Sequence, residues 1–183
     1  MAILRALLAA ALALPLGVLA EENNRWSGWC RYEWDTNQPP PPRLNLPEWV
    51  CTSERAKTLA EKYTPHTRIN PFYLTGDFDG DGKTDIAIWV KNIKTKEIGL
   101  AILHRGDKSL HILGAGTLVK GRGRNFGSFD MWSLYPKAPI SQSPYEDHPP
   151  NLKGDALWVA KSESASVFIY WNGSHYSWYQ EGD

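Results

Sequence analysis

The chain has 183 residues, 42% hydrophobic and 22% charged, with twenty Lys and Arg balancing twenty Asp and Glu. Fifteen glycines and thirteen prolines are too few for a collagenous or low-complexity chain, and the length suits one ordinary domain. Zero formal charge provides no attraction for nucleic acid or an anionic bilayer.

Residues 1–20, MAILRALLAAALALPLGVLA, read as a secretory signal peptide. Arg5 precedes an apolar run from Ala6 to Leu14, Pro15 breaks it, and Val18 and Ala20 suit the small-residue subsites before a cut ahead of Glu21. The run is shorter than the roughly 20 apolar residues that span a bilayer. The expectation is therefore one domain over residues 21–183, periplasmic or secreted and not membrane-spanning. Its two cysteines, Cys30 and Cys51, should pair in an oxidising compartment, and they lack the close spacing of a redox motif.

Residues 21–50 carry Trp26, Trp29, Trp34 and Trp49 around Pro39 to Pro42 without sustained periodicity, which predicts an irregular, disulfide-stapled lobe. Ala56, Leu59, Ala60 and Tyr63 then fall at helical spacing, with Thr52 or Ser53 as N-cap and Pro65 beyond the end. From Ile69 onward the period becomes two, predicting strands at 86–90, 98–103 and 109–113 joined as a meander. Residues 114–153 lose that period and read as a long surface excursion. Strands return at 156–160, 166–171 and 175–180, with Asn172-Gly173 as a hairpin turn that sets Trp171 opposite Ser174 and Ile169 opposite Tyr176. Val167, Ile169, Trp171, Tyr176 and Trp178 should then share one face, and Phe168, Tyr170 and Tyr179 the other. The fold expected is α+β, mostly β: an antiparallel sheet of six or seven strands, one packed helix and the stapled lobe.

The segment from Asp77 to Asp85 spells DxDxDGxxD. Hard cations such as Ca²⁺ take six to eight oxygen ligands, and carboxylates at alternate positions of a tight loop converge on one point. Asp77, Asp79 and Asp81 occupy positions 1, 3 and 5. Gly82 allows the sharp turn, Lys83 offers its carbonyl with the ammonium pointing away, and Asp85 closes the ring at position 9. Ile88 stands where a helix-loop-helix calcium loop carries a bidentate Glu, and strand residues flank the motif. In these residues the segment resembles the calcium loop of FG-GAP or VCBS-type repeats, which joins two strands; the resemblance implies a Ca²⁺ site built from Asp77, Asp79, Asp81, Lys83 and Asp85.

The five histidines, His66, His104, His111, His148 and His175, stand far apart in sequence and form no zinc motif. No serine lies in a nucleophile motif, so no catalytic residue is expected. Lys120, Arg122 and Arg124, spaced by glycines, read either as a solvated loop or as a finger for an anionic partner. A single such calcium loop in a small exported β-domain is similar to certain periplasmic lysozyme inhibitors and immunity proteins. That similarity implies a non-enzymatic binding protein of the bacterial envelope, with a peptidoglycan hydrolase or an envelope glycan as partner and the Lys120 to Arg124 run inserted into the partner's cleft. Two alternatives stay open: a carbohydrate-binding module using Trp132, Tyr135 and the aromatics near Trp178, and a small hydrolase using Glu146 and Asp147.

Overall fold

The computed structural model describes residues 30, 44, 46–107, 109–119 and 121–182. The signal peptide expected at 1–20, the tryptophans and prolines of 21–43 and Lys120 lie outside the described residues. Helices α1 (Glu48–Cys51) and α2 (Glu54–Lys62) precede the strands. Ser53 caps α2 by accepting a hydrogen bond from the Ala56 amide at 3.2 Å, with Glu54 in the first turn and Lys62 in the last matching the helix dipole. Cys51, at the end of α1, is bonded to Cys30, so the expected disulfide forms.

Among the described residues nine strands follow in two antiparallel sheets. The first holds β1 (Tyr63–Pro65), β2 (Tyr73–Gly76), β3 (Asp85–Asn92), β4 (Ile98–Leu103) and β5 (Leu110–Gly114). Strand β3 pairs with β4 on one side, while β2 and β1 share its other edge opposite successive halves. The second sheet is the meander β6 (Met131–Tyr135), β7 (Ala156–Lys161), β8 (Ala165–Trp171) and β9 (Tyr176–Gly182).

The alternation read from the sequence becomes a stack of layers. Ile86, Ile88, Val90, Ala101 and Leu103 face α1 and α2, packing with Val50, Ala56 and Leu59. Ala87, Trp89, Leu100 and Ile102 face the opposite way, onto Leu157, Val159, Val167 and Ile169 of the second sheet. The first sheet is thus apolar on both sides, and each fully buried Ile or Leu contributes about 1.5–3 kcal/mol of transfer free energy. Phe168 and Tyr179 point outward from the second sheet and are covered by Ile140 and Leu152 of the β6–β7 connection.

The mostly-β architecture with packed helix and disulfide matches the expectation, but nine strands are described rather than six or seven, and their arrangement differs. The strands divide between two sheets, which periodicity cannot reveal because it does not say where pairing stops. β6 also lies inside the stretch expected to be irregular, its five residues flanked by Gly and Pro that mask the alternation. At the last hairpin Trp171 pairs with Tyr176 and Ile169 with Trp178, so the turn spans four residues rather than two. The register moves by two positions, an even step that preserves both faces. Asn172 explains the longer turn: its Oδ1 accepts hydrogen bonds from the amides of Ser174 and His175, both at 3.0 Å.

Candidate metal centre

The DxDxDGxxD segment connects β2 to β3 as a tight loop shaped by its own carboxylates. Asp77 accepts from the amides of Gly80 at 2.9 Å and Gly82 at 3.0 Å. Asp79 Oδ1 accepts from the Asp81 amide at 3.0 Å, and Asp81 Oδ1 from the Lys83 amide at 2.8 Å. Gly80 and Gly82 both have φ near +80°, a region where a side chain would be strained. The result draws one oxygen from each of Asp77, Asp79 and Asp81 to within 4.8 Å of one another. A donor set made only of carboxylate oxygens fits a hard cation such as Ca²⁺, and these three residues would hold it.

A second chain segment supports the loop. Asp155, just before β7, donates its amide to the Asp77 carbonyl at 2.7 Å and accepts from the Asp77 amide at 3.0 Å. Its other carboxylate oxygen accepts from the Lys137 amide at 2.9 Å, so one side chain ties the loop to both ends of the β6–β7 connection.

Asp85 and the Lys83 ammonium depart from the simple ring. Asp85 is fully buried, with Oδ2 accepting from the Phe78 amide at 2.9 Å and Oδ1 from the Arg105 amide at 2.8 Å. Burial pushes its carboxyl up to about 6. It groups with Asp79 and His104, whereas Asp77 and Asp81 group with Asp79 on the other side. The Lys83 ammonium does not point away: it turns onto Asp81 Oδ2 at 3.0 Å, drawn by the surrounding carboxylates. That hydrogen bond lowers the Asp81 carboxyl, while burial raises that of Asp79.

The separation of the histidines in sequence proves misleading for two of them. His104 follows β4 and His111 lies in β5, and the hairpin brings their rings to 4.7 Å between centroids. One donor atom each from His104, Asp107 and His111 falls within 4.8 Å of the others. His104 is fully buried; its Nε2 is 2.6 Å from the Tyr176 hydroxyl, while Nδ1 makes no hydrogen bond. The sequence signal is HxxDxxxH across a short predicted hairpin, visible only once the two strands are paired. No protein-family model, curated protein or solved structure matches the chain. No helix among the described residues is long and apolar enough to cross a membrane.

The other candidate residues range from braced to exposed. Arg122 is braced, with its guanidinium 5.0 Å from the Trp178 ring, 3.0 Å from Gln180 Oε1 and 3.5 Å from Glu146 Oε1. Arg124 is exposed. Trp132 is only 4% exposed and donates Nε1–H to the Pro71 carbonyl at 2.7 Å, tying the second sheet to the loop before β2; it offers no stacking face to a sugar. Tyr135 packs edge-on against Phe168. Glu146 accepts from the Gln180 amide as well as facing Arg122, which makes it a structural brace.

Proposed function

We propose that the protein is an exported, calcium-stabilised binding protein of the bacterial envelope that recognises another protein, with a peptidoglycan hydrolase as the partner class, and that it carries out no chemistry of its own. The convergence of Asp77, Asp79 and Asp81 in a strand-to-strand loop carries the calcium part of this reading. Extracellular calcium modules have dissociation constants of roughly 10⁻⁴ to 10⁻³ M, so millimolar ion contributes on the order of 1 kcal/mol. The ion then acts as a staple for the loop.

Partner recognition is supported by the segment between β5 and β6. It folds back through bridges at Gly114–Thr117 and Val119–Gly123, and presents Leu118 at 68% exposure beside exposed Arg124. A preformed segment carrying an exposed apolar side chain and a cation loses little entropy when it enters a cleft. Because Arg122 braces the same segment from within, Arg124 is the better probe of the contact, and Arg122→Glu would also disturb the Glu146 and Trp178 contacts.

Affinity capture from envelope extracts tests the reading. Enrichment of a peptidoglycan hydrolase, lost in Arg124→Glu, supports it; capture of glycan fragments alone overturns it in favour of a sugar-binding module. The calcium site has its own check. Millimolar Ca²⁺ should raise the melting temperature of the wild-type chain by about 2–4 °C and leave Asp81→Asn unmoved, with the two proteins melting alike in EDTA.

A further inference from the structure

The fully buried His104 side chain offers a nitrogen, Nδ1, that makes no hydrogen bond and lies 3.3 Å from Asp79 Oδ2 and 3.7 Å from Asp107 Oδ1. Leaving a buried polar atom unpaired costs about 1–3 kcal/mol, so this nitrogen asks for a partner. We propose that His104, Asp107 and His111 form a second cation site, selective for a borderline-soft divalent metal of the zinc type and adjoining the all-oxygen loop at Asp79.

The hydrogen-bond pattern around the three residues prepares both imidazoles as ligands. The Ser109 hydroxyl donates to Asp107 Oδ1 at 2.6 Å and lies 2.7 Å from His111 Nε2. With its one proton committed to Asp107, Ser109 accepts from His111 Nε2–H, and the lone pair of His111 is left on Nδ1. For His104, whose Nε2 lies 2.6 Å from the Tyr176 hydroxyl, the tautomer that donates Nε2–H to that oxygen carries its lone pair on Nδ1, beside the carboxylates. Metal-bound histidines have this arrangement, with the far nitrogen donating to a fixed acceptor.

Donor chemistry separates the two sites. Two imidazoles and one carboxylate suit zinc, whereas Ca²⁺ selects oxygen ligands. Ligands held about 2.0–2.1 Å from a tetrahedral zinc lie roughly 3.3 Å apart. One nitrogen of each histidine and one Asp107 oxygen lie within 4.8 Å of one another, so small side-chain rotations close the site. The turn itself is fixed by Arg55, whose Nη1 donates to the carbonyls of His104 at 2.6 Å, Asp107 at 3.2 Å and Ser109 at 2.7 Å.

The test is calorimetric titration of the tag-free chain with zinc chloride in millimolar Ca²⁺, repeated with cobalt(II) to read the visible bands of a tetrahedral complex. Asp107→Asn and His111→Gln are the variants, because Asp107 is exposed and His111 half-buried, whereas replacing fully buried His104 endangers folding. One zinc should bind per chain, at least about 100-fold more weakly in each variant, with melting in EDTA unchanged. Asp81→Asn should keep zinc while losing calcium. Absence of zinc binding at micromolar protein, or wild-type zinc affinity in both variants, overturns the proposal. Equal loss in Asp81→Asn overturns it too, by placing zinc in the loop. The calcium reading fails separately, through the absence of a Ca²⁺-dependent rise in melting temperature.

Discussion

Asp79 divides its carboxylate between two neighbours, with Oδ1 holding the loop through the Asp81 amide and Oδ2 facing His104. Asp85 instead spends both oxygens on backbone amides and organises the floor beneath. Two acids of one motif therefore have different duties, and spacing alone cannot tell them apart. Gly154 is a residue whose role no motif announces: a Cβ there would strike the Asp77 carbonyl and the Gly80 amide, both backbone. Gly154→Ala should cost about 1–3 kcal/mol, seen as a lower melting temperature in EDTA and as weaker calcium stabilisation. His66 gives a pH signature away from the carboxylates. Burial, with Arg68 and Lys91 nearby, holds its imidazole below the ordinary value of 6.5. The folded state thus binds fewer protons than the unfolded one as pH falls below about 6.5, and stability drops with it. The melting-temperature advantage of wild type over His66→Gln should shrink from pH 7.5 to 5.5; a constant difference would show that His66 titrates alike in both states.

Among the elements, legibility followed the physical strength of the local signal. Helix α2 was readable because its apolar positions, Ser53 cap and terminal charges all agree. β3 and β4 were readable because both faces are covered, which selects Ile, Leu, Val and Trp almost without interruption. The loop carboxylates were legible as a cluster, since their spacing is itself the geometry. The His104–Asp107–His111 grouping was not, because it depends on cross-strand register, in which Ile102 opposes His111. The burial of Trp132, which removes it from the sugar-binding alternative, is hidden for the related reason that burial between sheets leaves no trace in a five-residue strand. The braced state of Arg122 likewise depends on Glu146, Trp178 and Gln180, brought from distant parts of the chain.

At the scale of the molecule, helices, two sheets and a covering connection form a stack whose only covalent cross-link among the described residues is Cys30–Cys51. With a sequence separation of 21 between the partners, loop closure is worth about 3 kcal/mol in the chain-entropy account. Reduction should therefore lower the melting temperature by about 6–12 °C, measured with and without dithiothreitol; a shift below 2 °C would show that the 31–50 loop gains little freedom when released. The Arg55 contact has a dynamic counterpart. One guanidinium from α2 grips three carbonyls of the β4–β5 turn, so the surface turn cannot open while the helix stays docked. Its amides should exchange with deuterium at the rate of α2 rather than at the rate of the other hairpin tips, and Arg55→Ala should split the two rates apart.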